Sequence, residues 1–173
     1  MAHDVRIAIF CPDRTGLLSA LTGCLFDMGA DIGDTSFSVL SGGAEFATIA
    51  RLPDELSADD VQNGLAALPE IEGAEISVAA FSMDTPAGTA NVTHRVEVRG
   101  TDRPGLVARL TETFADYGAN IERMDCERVP GSAAGDYVIW IEAWIPADRA
   151  ETCLAAVDNT AQSLGLSSSA ETL

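Results

Sequence analysis

Apolar and polar positions alternate from Val5 to Phe10, which predicts a strand over 5–10 ending at Cys11-Pro12. Beyond Gly16 the period changes. Leu17, Leu18, Leu21, Leu25 and Met28 recur at spacings of three and four, the signature of a helix with one apolar face, and Gly29 stops it. Alternation returns over Ile32–Leu40, the Ser41-Gly42-Gly43 turn follows, and a second alternating run covers Glu45–Leu52 before Pro53. Ser57-Ala58-Asp59-Asp60 is an acidic, Ser-capped helix start, and Val61, Leu65 and Leu68 supply its stripe. A closing strand spans Ala74–Phe81, giving the order β-α-β-β-α-β.

The order then recurs. Asp-Arg-Thr-Gly-Leu from Asp13 matches Asp-Arg-Pro-Gly-Leu from Asp102, and Gly29-Ala30-Asp31-Ile32 matches Gly118-Ala119-Asn120-Ile121 at the same separation. The second copy is predicted as strand 94–99, helix 105–117, strands 121–129 and 136–145, helix 147–163 and a weak strand near 165–171. It carries a few extra residues, which fit the loop Val129–Gly135. Between the copies, residues 84–92 are rich in small residues with a Pro and a Gly, and read as a linker. The expected architecture is α+β: two ferredoxin-like βαββαβ modules, 1–83 and 93–173, each a four-stranded antiparallel sheet with two helices on one face. Val138, Trp140 and Trp144 share one face of their strand. The preferred reading packs that face under the helices, over an exposed interface; Arg123, Glu127 and Arg128 on the neighbouring strand read as solvated.

Composition narrows the chemistry. Ten basic residues, all arginine, stand against 27 acidic ones for a net charge of −17. The arginines are scattered from Arg6 to Arg149, so no cationic footprint for a phosphate backbone or an anionic membrane forms. Without lysine, a P-loop lysine, a Schiff base and a lysine general base are excluded. No apolar run approaches the roughly 20 residues of a membrane span, and the first residues lack a signal-type pattern. The expected location is the cytoplasm. Cys11, Cys24, Cys126 and Cys153 show no paired spacing and read as small buried thiols; with only His3 and His94 besides, neither a metal site nor a Cys-His nucleophile is expected. No cofactor motif and no catalytic motif of the common hydrolase, zinc-protease or nucleotide-binding types occurs in register.

The duplicated motif is the candidate site. Gly16 and Gly105 stand where a strand turns abruptly into a helix, where glycine admits a ligand to the backbone and the first helical N–H groups attract an anion. Asp31 or Asn120 follows the helix and is read as returning the chain near that same end of the fold, or near that of a neighbouring module; an Asn can donate to a carboxylate and accept from an ammonium. A plainer reading stands beside this one: Asp13 and Asp102 cap the helices, and the glycines only permit tight turns.

The pairing of Asp-Arg-Pro-Gly-Leu with Gly-Ala-Asn-Ile on a βαββαβ pattern resembles the ACT domain, a small-molecule, usually amino-acid, sensing module. The resemblance covers both copies, and the arrangement without an attached enzyme is similar to the glycine cleavage system transcriptional repressor group. It implies a ligand between modules, bound by Asp102, Arg103, Gly105, Leu106, Asn120 and Ile121 in the second copy and by Asp13, Arg14, Gly16, Leu17, Asp31 and Ile32 in the first. Thr15 replaces the proline and Asp31 the asparagine in the first copy, so the better-formed site is expected in the second. The implied function is a non-catalytic sensor of a small amino acid, glycine or serine, controlling a transcriptional activator by protein contact and without touching DNA. A homodimer is expected, because ferredoxin-like sheets leave edges open to pairing. The alternatives are a ligand-free interaction module and an enzyme of amino-acid metabolism.

Overall fold

The computed structural model describes residues 2–82, 91–129 and 136–173. The linker and the inserted loop expected from the sequence therefore fall largely outside the described residues. Two compact units, Met1–Asp84 and Thr85–Leu173, divide the chain.

The first unit runs β1 (His3–Pro12), α1 (Leu17–Asp27), β2 (Asp31–Leu40), β3 (Gly43–Leu52), α2 (Ala58–Ala66), a short 3₁₀ turn (Pro69–Ile71) and β4 (Glu75–Ala80). The second runs β5 (His94–Thr101), α3 (Leu106–Asp116), β6 (Asn120–Arg128), β7 (Asp136–Trp144), α4 (Ala150–Ser163) and β8 (Ser167–Thr172). Both sheets are antiparallel, ordered β2-β3-β1-β4 and β6-β7-β5-β8. This is the expected pair of ferredoxin-like βαββαβ modules.

Each sheet buries one face. In the first unit Val5, Ile7, Ile9 and Cys11 of β1 and Phe46, Ala50 and Leu52 of β3 pack with Leu17, Leu21 and Leu25 of α1 and Val61 and Leu65 of α2. Leu18, counted in the α1 stripe from spacing, lies off that face and is partly exposed. In the second unit Val96, Val98, Ile139, Ile141 and Ala143 pack with Leu110 and Phe114 of α3 and Cys153, Val157 and Ala161 of α4.

Local chemistry sets the helix ends. At α2 the Ser57 hydroxyl accepts from the Asp60 backbone N–H at 3.1 Å, while the Asp60 carboxylate accepts from the Ser57 N–H at 3.0 Å, a reciprocal capping box. Helices α1 and α3 end on Gly29 and Gly118, both with positive φ, and the next N–H closes back five residues, Ala30 to Leu25 O and Ala119 to Phe114 O, each at 3.0 Å. Helix α4 starts three residues later than its sequence pattern suggests, because the Arg149 N–H turns back onto the Pro146 carbonyl at 2.9 Å.

Trp140 and Trp144 are not under the helices. β7 places Ile139, Ile141 and Ala143 on the helix side, and period two then puts Val138, Trp140, Glu142 and Trp144 on the open face, where the two tryptophans stay 38% and 41% exposed. Of the two faces of β7, the one free of charge is the core face.

Candidate functional site

In both modules the Asp-Arg-x-Gly motif joins the first strand to the first helix. Gly16 and Gly105 sit immediately before α1 and α3 in left-handed conformation, at φ +87° and +81°. A Cβ at either position would meet no atom within 4 Å. Backbone conformation, not crowding, demands glycine here, and the space before each helix N-terminus is open.

Neither helix has a side-chain cap, so Asp13 and Asp102 do not play the capping role of the plainer reading. The first helical N–H of each is already engaged: Leu17 donates to the Arg14 carbonyl at 3.2 Å and Leu106 to that of Arg103 at 3.3 Å. The side chains of Leu17 and Leu106 are buried, so any ligand contact they make is through backbone.

Asp102, Arg14 and Arg103 of the motif are turned toward their own module. The Asp102 carboxylate accepts two hydrogen bonds from Arg128, at 2.8 Å from Nη2 and 3.1 Å from Nε, and this pairing holds the guanidinium more strongly protonated than usual. Arg14 donates to the Pro69 carbonyl at 3.3 Å, bracing the 3₁₀ turn before β4. In the second module the Arg103 guanidinium lies against the corresponding connection: a Cβ added to Gly165 would fall 3.5 Å from its Nη2. In both copies the motif arginine thus lies against the connection into the last strand, a placement that sequence spacing does not reveal.

Asn120 and Asp31 lie at the other end of their modules. Asn120 opens β6, whose far end is the Arg128 that holds Asp102, so nine residues of strand separate Asn120 from the Asp102 loop, roughly 25 Å at a strand's rise. Asp31 opens β2 opposite Arg51, while Gly16 follows the opposite end of β1, where Pro12 pairs Gly43. The expectation that glycine and polar residue share one end of a module is corrected: α1 and α3 run antiparallel to the strand before them and carry the chain to the far end of the sheet. The Asn120 amide donates to Glu122 at 2.6 Å, Ile121 packs against the second core and Ile32 against the first. Within one module the two halves of the motif do not meet.

Among the described residues no set of three His, Cys, Asp or Glu side chains is placed to hold a metal ion. His94 is buried, with Nδ1 2.8 Å from the Thr93 hydroxyl. All four cysteines are free; Cys11 and Cys153 are buried, whereas Cys24 and Cys126 are only half-buried. Burial raises the pKa of the Cys11, Cys24 and Cys153 thiols, away from the thiolate a nucleophile needs. No described helix is long and apolar enough to cross a membrane.

Comparison with known proteins places this geometry. Residues 94–143 match the family model of the ACT domain. The fold of the whole chain is shared with the crystal structure of an unknown protein from Galdieria sulphuraria (20% identity, TM-score 0.78, covering 100% of this chain and 99% of that one). It is shared also with a protein provisionally described as a glycine cleavage system transcriptional repressor (15% identity, TM-score 0.70, covering 100% and 98%). The second module therefore carries the ACT domain signature over residues 94–143, and the chain as a whole is a tandem of two modules with the ACT-like fold.

Proposed function

We propose that the protein is a non-catalytic regulator that senses a small amino acid at an interface between ACT modules and acts through protein contact. The observation that carries this is that the ACT match spans the whole second-module motif, Asp102, Arg103, Gly105, Leu106, Asn120 and Ile121. Each half of the motif offers what one end of an amino acid needs. The uncapped start of α3 presents backbone N–H groups and the positive end of a helix to a carboxylate. Asn120 offers both a donor and an acceptor to the other end. Because the halves lie at opposite ends of one module, binding stabilises the arrangement of modules whose interface it completes, which is a population shift.

The similarity to a repressor of the glycine cleavage system extends the proposal to transcriptional control of glycine metabolism, with a transcriptional activator as the contacted partner and glycine or serine as ligand. The net charge of −17 suits a regulator that bears on a DNA-binding partner without binding DNA itself.

A thermal-shift screen against the twenty amino acids tests the reading. A ligand at a hundredfold excess over its Kd contributes about 2.7 kcal/mol, several degrees in Tm. A shift with glycine or serine supports it. No shift with any amino acid would favour a ligand-free interaction module, a reading that the engagement of Asp102 by Arg128 also supports. Turnover of an amino acid followed by NMR would overturn the non-catalytic assignment.

A further inference from the structure

The open face of the second sheet is built to be covered. β7 exposes Trp140 and Trp144 there, and these two tryptophans are the chain's whole complement; Val138, on the same side of the strand, is already buried. The fold does not need them: the corresponding positions of the first module carry Ala47 and Arg51. Around Trp140 the face forms a shallow concavity of about 480 Å³ whose rim is charged.

The charges are ordered. One row across the sheet reads Arg123 on β6, Glu142 on β7, Arg95 on β5 and Glu171 on β8, alternating in sign. Its inner members satisfy each other, with Arg95 Nε 2.8 Å from Glu142 Oε1. The outer members, Arg123 and Glu171, have no ion-pair partner among the described residues and stand three strands apart, about 14 Å at a sheet's strand spacing, too far to meet. The next row reads Asp125, Trp140, Glu97 and Ser169, and the next Glu127, Val138, Arg99 and Ser167. Glu97 is tied within the face, accepting from Arg99 at 2.8 Å and from Trp140 Nε1 at 3.2 Å.

We infer that this face docks onto the same face of a second copy of the chain, through a two-fold axis parallel to the strands. Such an axis reverses the order of strands while keeping the rows in register. Arg123 then opposes Glu171 of the second copy and Glu142 opposes Arg95, each twice. Trp140 meets the Glu97 position, and no like charges face each other in any of the three rows. Turning the copy about an axis perpendicular to the strands instead sets Arg95 against Arg99, a like-charge clash. Aligned sheets pack face to face about 10 Å apart, a gap that arginine, glutamate and tryptophan side chains fill. The unpaired ends of the row find their partners only in the second copy, and the indole faces leave water. This contact does not use the sheet edges.

The two outer charges give a test in the full-length chain. In an Arg123→Glu homodimer, and equally in a Glu171→Arg homodimer, both outer pairs become like-charged, whereas a heterodimer of the two variants has both pairs opposite. Sedimentation equilibrium at physiological salt is expected to find wild-type dimer and each variant weakened about tenfold or more, with association regained in the equimolar mixture. Tryptophan emission of the wild type is expected to move to the blue as concentration rises, since both fluorophores lie on this face. A wild type that stays monomeric, single variants that associate as it does, a mixture that regains nothing, or emission independent of concentration would each overturn the inference. Both substituted positions are exposed and outside the ion pairs of the face, so loss of fold is not expected, and far-ultraviolet circular dichroism of each variant checks this. If either misfolds, the same comparison is made with Arg123→Gln and Glu171→Gln, which are each expected to weaken the dimer by a smaller factor; equality with wild type would again overturn it.

Discussion

Replacing Gly105 by Ala separates the two roles a glycine can have at this junction. At φ +81°, with no atom within 4 Å of where the added methyl would sit, the substitution costs conformation alone. The left-handed region costs an L-residue roughly 1–2 kcal/mol, and the stiffer unfolded chain returns about 0.4–1. The net loss is about 1 kcal/mol, or about 4–8 °C in the unfolding of a module this size. Asn tolerates that region better, so Gly105→Asn is expected to lose less than Gly105→Ala. Gly100 is the control of opposite kind: a Cβ there would fall 3.2 Å from the Leu166 Cα and into contact with its Cδ2, so the larger Asn is expected to be worse than Ala. Calorimetry or urea unfolding of the four variants reads the order. Equal losses for Ala and Asn at Gly105, or no loss for either, would refute the conformational argument. The two Gly105 variants also bear on sensing, because their side chains project into the open space before α3. An amino-acid thermal shift that survives both would place the ligand elsewhere.

Other outcomes follow from the same geometry. Asn120→Ala is expected to reduce an amino-acid-dependent Tm shift more than Asp31→Ala, since an aspartate repels a ligand carboxylate; the reverse order would move the better site to the first module. Ser57→Ala is expected to cost about 1 kcal/mol in the first unit by removing the capping box, measured by urea unfolding. The Asp60 carboxyl is held below its ordinary pKa by hydrogen bonds from the Ser57 hydroxyl and backbone N–H. Its contribution is therefore present above the unfolded carboxylate pKa and lost as pH falls through the lower folded value, and Ser57→Ala should flatten that acid-side decline. Phe114→Ala, fully inside the second core, is expected to cost about 3–5 kcal/mol and to melt the second module before the first in calorimetry.

Much of the fold is legible because its signals are local. The change from period two to period three or four, the glycines that stop α1 and α3, and the Ser57 capping box each act over a few residues, so they survive without knowledge of the rest of the chain. The repeat adds a second reading of each element. The site is less legible because its defining relations are long-range. Arg128 and Asp102 are joined only by the antiparallel return of β6, and Arg14 reaches Pro69 only through the packing of the last connection against the first loop.

For this chain, periodicity and duplication were enough to decide element order, module number and sheet topology, since burial of one face per element admits few arrangements of a βαββαβ unit. They also singled out Gly16 and Gly105 at the strand-to-helix junctions, but the left-handed backbone that favours glycine there is read only from the structure. Which face of β7 is core was left to three-dimensional packing, although the charge of Glu142 beside Trp140 and Trp144 pointed to the outer one. Packing alone, too, put Asn120 at the end of the module remote from Gly105. The pattern along a strand says which residues share a side; only the neighbouring strands and helices say what that side touches.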